Sequence, residues 1–268
     1  MRAVAAYAGA LRGVVERDLR VFFTYPTRAA SQLLSLVLSM SVFYFVSRLV
    51  NVPEFRSSDE YLAFVVAGLL IMFVLHAATA APLFLRQELI AGTFERSLVS
   101  PMGPVVGILG LMAYPVLLAC FLAAVAFGVA TAIFGLPVQW STAPALLPAA
   151  LLGALVFSVF ATLALAMVVV FKQAAGVSWF VTLLTLTGGV YFPVALLPGW
   201  IGWISEIQPF TPAVDLLRYL MLGTSVGEDA STALLKLVGF LAVAGPLSVL
   251  LLRRAIEFAR VRGTILEY

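Results

Sequence analysis

The chain has 268 residues, 63% of them hydrophobic and 11% charged, with a mean hydropathy of +1.09. A soluble domain averages about 45–50% apolar and about 25% charged residues. The composition therefore excludes a water-soluble globular protein and predicts one membrane domain over residues 1–268, with no room for a sizeable soluble domain; the apolar stretches below make the expected fold class all-α. The formal charge of +3 is no nucleic-acid signal, because the arginines sit at segment ends instead of forming one patch. The lone Cys120, inside an apolar run, excludes a disulfide framework or a cysteine zinc site within one chain.

Residues 2–25 read as an amphipathic helix lying in the membrane interface. Val4, Tyr7, Leu11, Val15, Leu19 and Phe22 fall on one face, while Arg2, Arg12, Glu16, Arg17 and Arg20 fall on the other. Asp18 is a misfit on the apolar side. Charges recur through Arg20 with no short apolar core before a small-residue cleavage site, so the segment is not a signal peptide. Pro26 stops this helix, and the chain turns into the membrane.

A membrane-crossing helix needs about 20 apolar residues. Six stretches qualify, at 29–50, 61–83, 105–134, 143–171, 174–197 and 234–252. The third and fourth are long enough to tilt, and Pro115 in the third predicts a kink. With the N-terminus inside, twelve of the sixteen Lys and Arg lie on inner segments; only Arg48, Arg56, Arg218 and Lys236 lie outside. The positive-inside rule then places both termini in the cytoplasm, with the polar insert Leu85–Pro101 between spans two and three.

The connection between spans five and six is too apolar for a solvated loop and too broken by Pro and Gly for a spanning helix. Non-helical backbone at membrane depth must be shielded by protein or line a watery cavity, so residues 198–219 are expected to form a re-entrant helical hairpin capping the outer end. Trp200, Trp203, Phe210 and Tyr219 suit the interface. Asp215 and Arg218 share a face if helical, either as a partly shielded local ion pair or as a solvated surface pair.

Neither a phosphate loop nor a dinucleotide-binding glycine motif occurs. His76, mid-span in the second helix, reads as an interhelical hydrogen-bonding group, since one His with no nearby acid makes a poor proton relay. Cys120 reads as packing, because apolar burial keeps a thiol protonated. Ser35, Ser39 and Thr162, with Ser31, Ser41 and Ser158, either allow close helix packing or line a path. No intramembrane acid pair or charge ladder appears, which argues against an ion-coupled secondary transporter. A membrane-embedded enzyme would need clustered acids, His or Cys, and the spans supply only His76 and Cys120. No metal site is expected.

The pattern resembles the permease subunits of the type-2 ATP-binding-cassette (ABC) transporter family along essentially the whole chain. The insert Glu88-Leu-Ile-Ala-Gly92-Thr93-Phe94-Glu95-Arg96-Ser-Leu98-Val-Ser100-Pro101 is similar to that family's Glu-x-x-x-Gly-Thr-x-Glu-x-Leu-x-x-Ser/Thr-Pro stretch. The run Phe192-Pro193, Leu197-Pro198, Gln208-Pro209-Phe210-Thr211 and Val214-Asp215-Leu216-Leu217-Arg218 is similar to its Pro-rich outer hairpin, with Gln208 where the family has Asn.

The resemblance implies a half-transporter with no cofactor and no catalytic motif of its own. Two copies, or this chain and a related permease, would form the pathway in the inner (cytoplasmic) membrane, in contact with membrane lipid. Separate cytoplasmic ATPase subunits would bind ATP and Mg. Glu88, Gly92, Thr93, Phe94, Glu95, Arg96, Leu98 and Pro101 would form the coupling helix within 85–101; the competing reading is that its charges are merely solvated. Tyr191, Phe192, Pro193, Trp200, Trp203, Pro209, Phe210, Asp215 and Arg218 would form an outer gate. His76, Ser35, Ser39 and Thr162 are candidate pathway residues. The expected cargo is a hydrophobic or amphiphilic compound, drug or lipid, with lipid-linked polysaccharide as the alternative.

Overall fold

The computed structural model describes residues 26–49, 57–92, 103–173, 175–223 and 229–262, together with Gly13 and Phe55. The expected interfacial helix at 2–25 lies, Gly13 apart, outside the described residues. Every regular element among the described residues is helical.

Helix α1 (Pro26–Leu49) begins at the proline expected to end the preceding segment. Proline's fixed φ and missing N–H are tolerated in a first helical turn. Leu34, Leu38, Val42, Phe45 and Leu49 are more than half exposed and recur every three or four residues, which gives α1 an apolar outward stripe.

Helix α2 (Ser58–Ala78) starts behind a Ser57 cap, whose Oγ accepts the Glu60 N–H at 3.2 Å. Asp59 and Glu60 in the first turn complement the helix dipole. The expected second span of 61–83 breaks near Thr79–Ala80, and α3 (Ala81–Ile90) continues from it with Pro82 in its first turn. Together Ser58–Ile90 is the most enclosed of the apolar stretches, with 78% of its most apolar window buried, against 17% for α1 and 11% for the last helix. α2 is therefore the axis around which the others pack.

Helix α4 (Pro104–Phe134) keeps Pro115 inside a continuous helix and stops at Gly135, which is left-handed at φ +64°. A 3₁₀ turn (Ala143–Ala145) leads into α5 (Leu146–Phe171). The long α9 (Ala230–Val261) makes its broadest interface with α5. At 32 residues and about 1.5 Å per residue, α9 extends well past a hydrocarbon layer of about 30 Å.

The expected fifth span, 174–197, is corrected. Its helix, α6, covers only Ala175–Thr187, 13 residues or about 20 Å, and is too short to cross alone. Gly188-Gly189 break it, with Gly189 at φ +72°, and a short 3₁₀ turn (Val194–Leu196) follows. Two helices follow, α7 (Gly199–Ile207) and α8 (Phe210–Leu222), which stops at Gly223; they are called the hairpin below. Among the described residues, five helical stretches are long and apolar enough to cross a membrane.

Two cores result. One fills the hairpin end of the bundle, where Phe64, Phe157, Phe210 and Met221 are fully buried. The other fills the insert end, where Leu85 of α3, Ile108 of α4, Leu165 of α5 and Leu252 and Ile256 of α9 meet.

Candidate functional site

The hairpin limb α8 is buried along most of its length, and at its centre sits Arg218, 2% exposed. An isolated guanidinium there would be prohibitive without partners. Its Nε donates to the Phe64 carbonyl at 3.2 Å, and Nη2 donates to Gly189 O at 2.6 Å and Val190 O at 3.2 Å. Nη1 lies 3.7 Å from Asp215 Oδ1, and the guanidinium stacks 3.3 Å above the Phe64 ring. The fork therefore holds a carbonyl of α2 and the two carbonyls beyond the end of α6.

That arrangement explains how α6 can end inside the bundle. Carbonyls at a helix end have no intrahelical donors, and water cannot reach them at membrane depth. A cation beside a helix C-terminus also meets the negative end of its dipole. The break needs close approach as well. A Cβ placed at Gly68 would lie 2.6 Å from Val190 O and 2.9 Å from Val190 Cα, so only glycine lets α2 abut the broken segment.

The neighbouring gate candidates divide into two sets. In the fixed set, the Tyr191 ring stacks on Phe43 at 5.5 Å, and its hydroxyl donates to Met72 Sδ at 3.4 Å. Tyr61 donates to the Tyr191 carbonyl at 3.3 Å. Pro193 and Pro209 are buried, Phe192 is half-buried, and Phe210 packs on Phe157 at 5.4 Å. Gln208 Nε2 donates to the hydroxyls of Thr187 and Thr211, both at 3.1 Å, tying the end of α6 to the start of α8. The far end of α8 is pinned too: Thr142 donates to Leu220 O, and the Gln139 N–H to Met221 O at 2.8 Å.

The other set is open. On α7, Trp200 is 77% and Trp203 56% exposed, and the Trp203 indole N–H only returns to the Trp200 carbonyl at 2.9 Å. The nine gate candidates are thus a locked core (Tyr191, Pro193, Pro209, Phe210, Asp215, Arg218, with Phe192 at its edge) and a projecting tryptophan pair.

At the opposite end, Glu88 is half-buried on α3 between buried Leu85 and Leu89. The expected helix over 85–101 is corrected in its first part: α3 ends at Ile90, and Gly92 takes φ +66°. Thr93, Phe94, Glu95, Arg96, Leu98 and Pro101 lie outside the described residues.

The candidate pathway residues are not brought together. His76 sits in the last turn of α2, exposed, and its Nδ1 donates to Met72 O of the same helix at 2.9 Å, so the expected interhelical bond is corrected to an intrahelical one. Ser39 donates to the Ser35 carbonyl at 2.9 Å and Thr162 to the Ser158 carbonyl at 2.7 Å, again within their own helices. Intrahelical i−4 bonds are the usual resort of a hydroxyl in an apolar helix.

Sequence reasoning singled out Asp215 and Arg218 but did not anticipate the Phe64, Gly189 and Val190 carbonyls that Arg218 bonds. The usable signal was Gly188-Gly189 interrupting an apolar run, which promises exposed carbonyls, combined with one arginine in an apolar hairpin, which needs acceptors.

No curated protein matches this sequence. The ABC-2 type transporter family model matches residues 10–222, a stretch that contains the polar insert, α1 to α8 and the arginine-held break. The chain therefore belongs to the ABC-2 type transporter family and is a multi-pass membrane component of an ABC transporter.

Proposed function

We propose that this permease is the membrane half of an ATP-driven exporter, working as a dimer and powered by separate cytoplasmic ATPase subunits that carry ATP and Mg. The observation that supports the reading most is the position of the two motif regions. The start of the insert on α3, with Leu85 and Leu89, and the hairpin of α7 and α8 pack into separate cores of one bundle, and the whole insert and the hairpin fall within the family match. Glu88 and the segment beyond Gly92, with Phe94, Glu95, Arg96 and Leu98, receive the motion of the ATPase. A mixed-charge segment with apolar anchors suits such a contact, the anchors supplying affinity and the charges register. The charge count gives both termini and the insert to the cytoplasm and the hairpin to the outer face of the inner membrane.

The cargo is hydrophobic or amphiphilic. The described spans carry no buried charge ladder of the kind that ion-coupled carriers use, and the apolar outer faces leave lateral access from lipid. A second reading, a lipid-linked polysaccharide, draws on Trp200 and Trp203, whose exposed rings could stack on sugars.

The test is purification of the chain from its native host with whatever ATPase accompanies it. Cargo-stimulated ATP hydrolysis is expected, and Glu95→Arg or Phe94→Ala should break assembly or uncouple transport. If both variants leave assembly and transport intact, the coupling role is wrong. A cysteine introduced at Trp200 should label only from outside; labelling from the cytoplasm overturns the topology.

A further inference from the structure

A cavity of about 240 Å³ opens at the insert end of the bundle, between the start of α4 and the last turns of α9. Its floor is apolar, made by Pro104, Val105 and Val106 with the buried Ile256. Its rim carries Arg253, Glu257 and Arg260. These three are spaced i, i+4 and i+7 on α9, so they form one stripe beside the buried stripe of Leu252, Ile256 and Ala259. Among the described residues neither arginine makes an ion pair. The depth of the cavity follows from α9 itself. Between Lys236 and Arg253 the sequence is uncharged from Leu237 to Leu252, and those sixteen residues span about 24 Å, close to the hydrocarbon thickness. Arg253 is therefore the first charge after the apolar layer, at the level where lipid phosphates lie.

We propose that this cavity binds the phosphodiester of a membrane phospholipid. The rim carries a net charge of +1, which one singly charged phosphodiester neutralises. Arginine forks match phosphate geometry and hold it by two hydrogen bonds. The apolar floor suits the glycerol and the first carbons of the acyl chains, which a free phosphate lacks. Basic pockets between membrane helices at the headgroup level are suited to such lipids. The bound lipid would abut Gly103, directly after the segment read above as receiving ATPase motion, so its occupancy would bear on coupling. Lipid retention is measured on the chain alone, which separates this site's failure from any failure of the ATPase reading.

The experiment is native mass spectrometry of the detergent-purified chain, titrated with dioleoyl phosphatidylglycerol. Arg253→Ala/Arg260→Ala is compared with Arg254→Ala, which removes a neighbouring exposed charge that does not line the cavity. All these positions are exposed, and an unchanged gel-filtration profile checks the fold. The wild type and Arg254→Ala should retain one lipid with similar affinity, while the double variant should bind about tenfold more weakly or worse. Equal retention by the double variant overturns the site. An equal loss from Arg254→Ala reduces it to diffuse surface attraction. Displacement of the lipid by inorganic phosphate alone makes it a free-anion site and overturns the lipid assignment.

Discussion

Arg218 Nη2 donates to Gly189 O at 2.6 Å, across a sequence separation of 29 residues, and this bond joins the hairpin to the broken end of α6. The same guanidinium reaches Phe64 O on the central helix. The end of α6 and α8, which would otherwise present unpaired carbonyls and a buried cation to an apolar interior, are thus joined to each other and to α2. Opening at this end would have to carry α2, the end of α6 and α8 together, or else break charge-assisted bonds in a medium where they are strong.

Arg218→Met should be among the most destabilising single changes in the chain, by about 3–5 kcal/mol, because it takes away the cation beside the buried Asp215 and strips the Gly189 and Val190 carbonyls of a donor. Arg218→Lys should recover part of that loss, since a point charge can still face Asp215 but cannot fork to Phe64, Gly189 and Val190 at once. Asp215→Leu/Arg218→Met should cost less than Arg218→Met alone, as the carboxylate of the buried pair goes with its cation. Denaturation in mixed micelles, followed by tryptophan fluorescence, gives the order. A lysine variant as unstable as the methionine variant would mean that the fork, not the charge, carries the effect.

Gly68→Ala and Gly128→Ala separate packing from helix propensity. Alanine is preferred to glycine by about 1 kcal/mol in a helix interior, and a Cβ at Gly128 meets nothing within 4 Å. Gly128→Ala should be neutral or stabilising. At Gly68 the added methyl would press on the Val190 backbone, and overpacking of this kind costs about 1–3 kcal/mol. Gly68→Ala should therefore lower the unfolding midpoint, and Gly128→Ala should leave it unchanged or raise it. Equal shifts would show that α2 can move away from Val190 freely.

The spans were legible because apolar length and charge at segment ends act locally along the chain. Pro26, Gly135 and Gly223 mark helix limits for the same reason. The fifth span misled because 174–197 is apolar throughout, and length alone does not register that Gly188-Gly189 turns the backbone out of the helix. Whether such a break survives depends on an acceptor–donor match with Arg218, far along the chain. His76 misled in another way: periodicity puts it on a helix, but its outward rotation and its bond to Met72 O depend on how α2 packs. The Asp215–Arg218 pair was visible at i, i+3, whereas its burial was not, because burial is set by α2 and α6.

Stability and transport should come apart across the hairpin. Trp200 and Trp203 touch little within the chain, and exposed substitutions away from structural features usually change stability by less than about 0.5 kcal/mol. Trp200→Ala/Trp203→Ala should therefore unfold like the wild type. Phe210 is fully buried against Phe157, and Phe210→Ala should cost about 3–5 kcal/mol. If the tryptophan pair meets cargo or anchors the proposed outer gate in the interface, the double variant should lose transport in proteoliposomes while keeping its fold and its association with the proposed ATPase. A fold as weakened as that of Phe210→Ala would instead mean that α7 is held by contacts its tryptophans make. Full transport by the stable double variant would confine the gate to the buried set around Arg218.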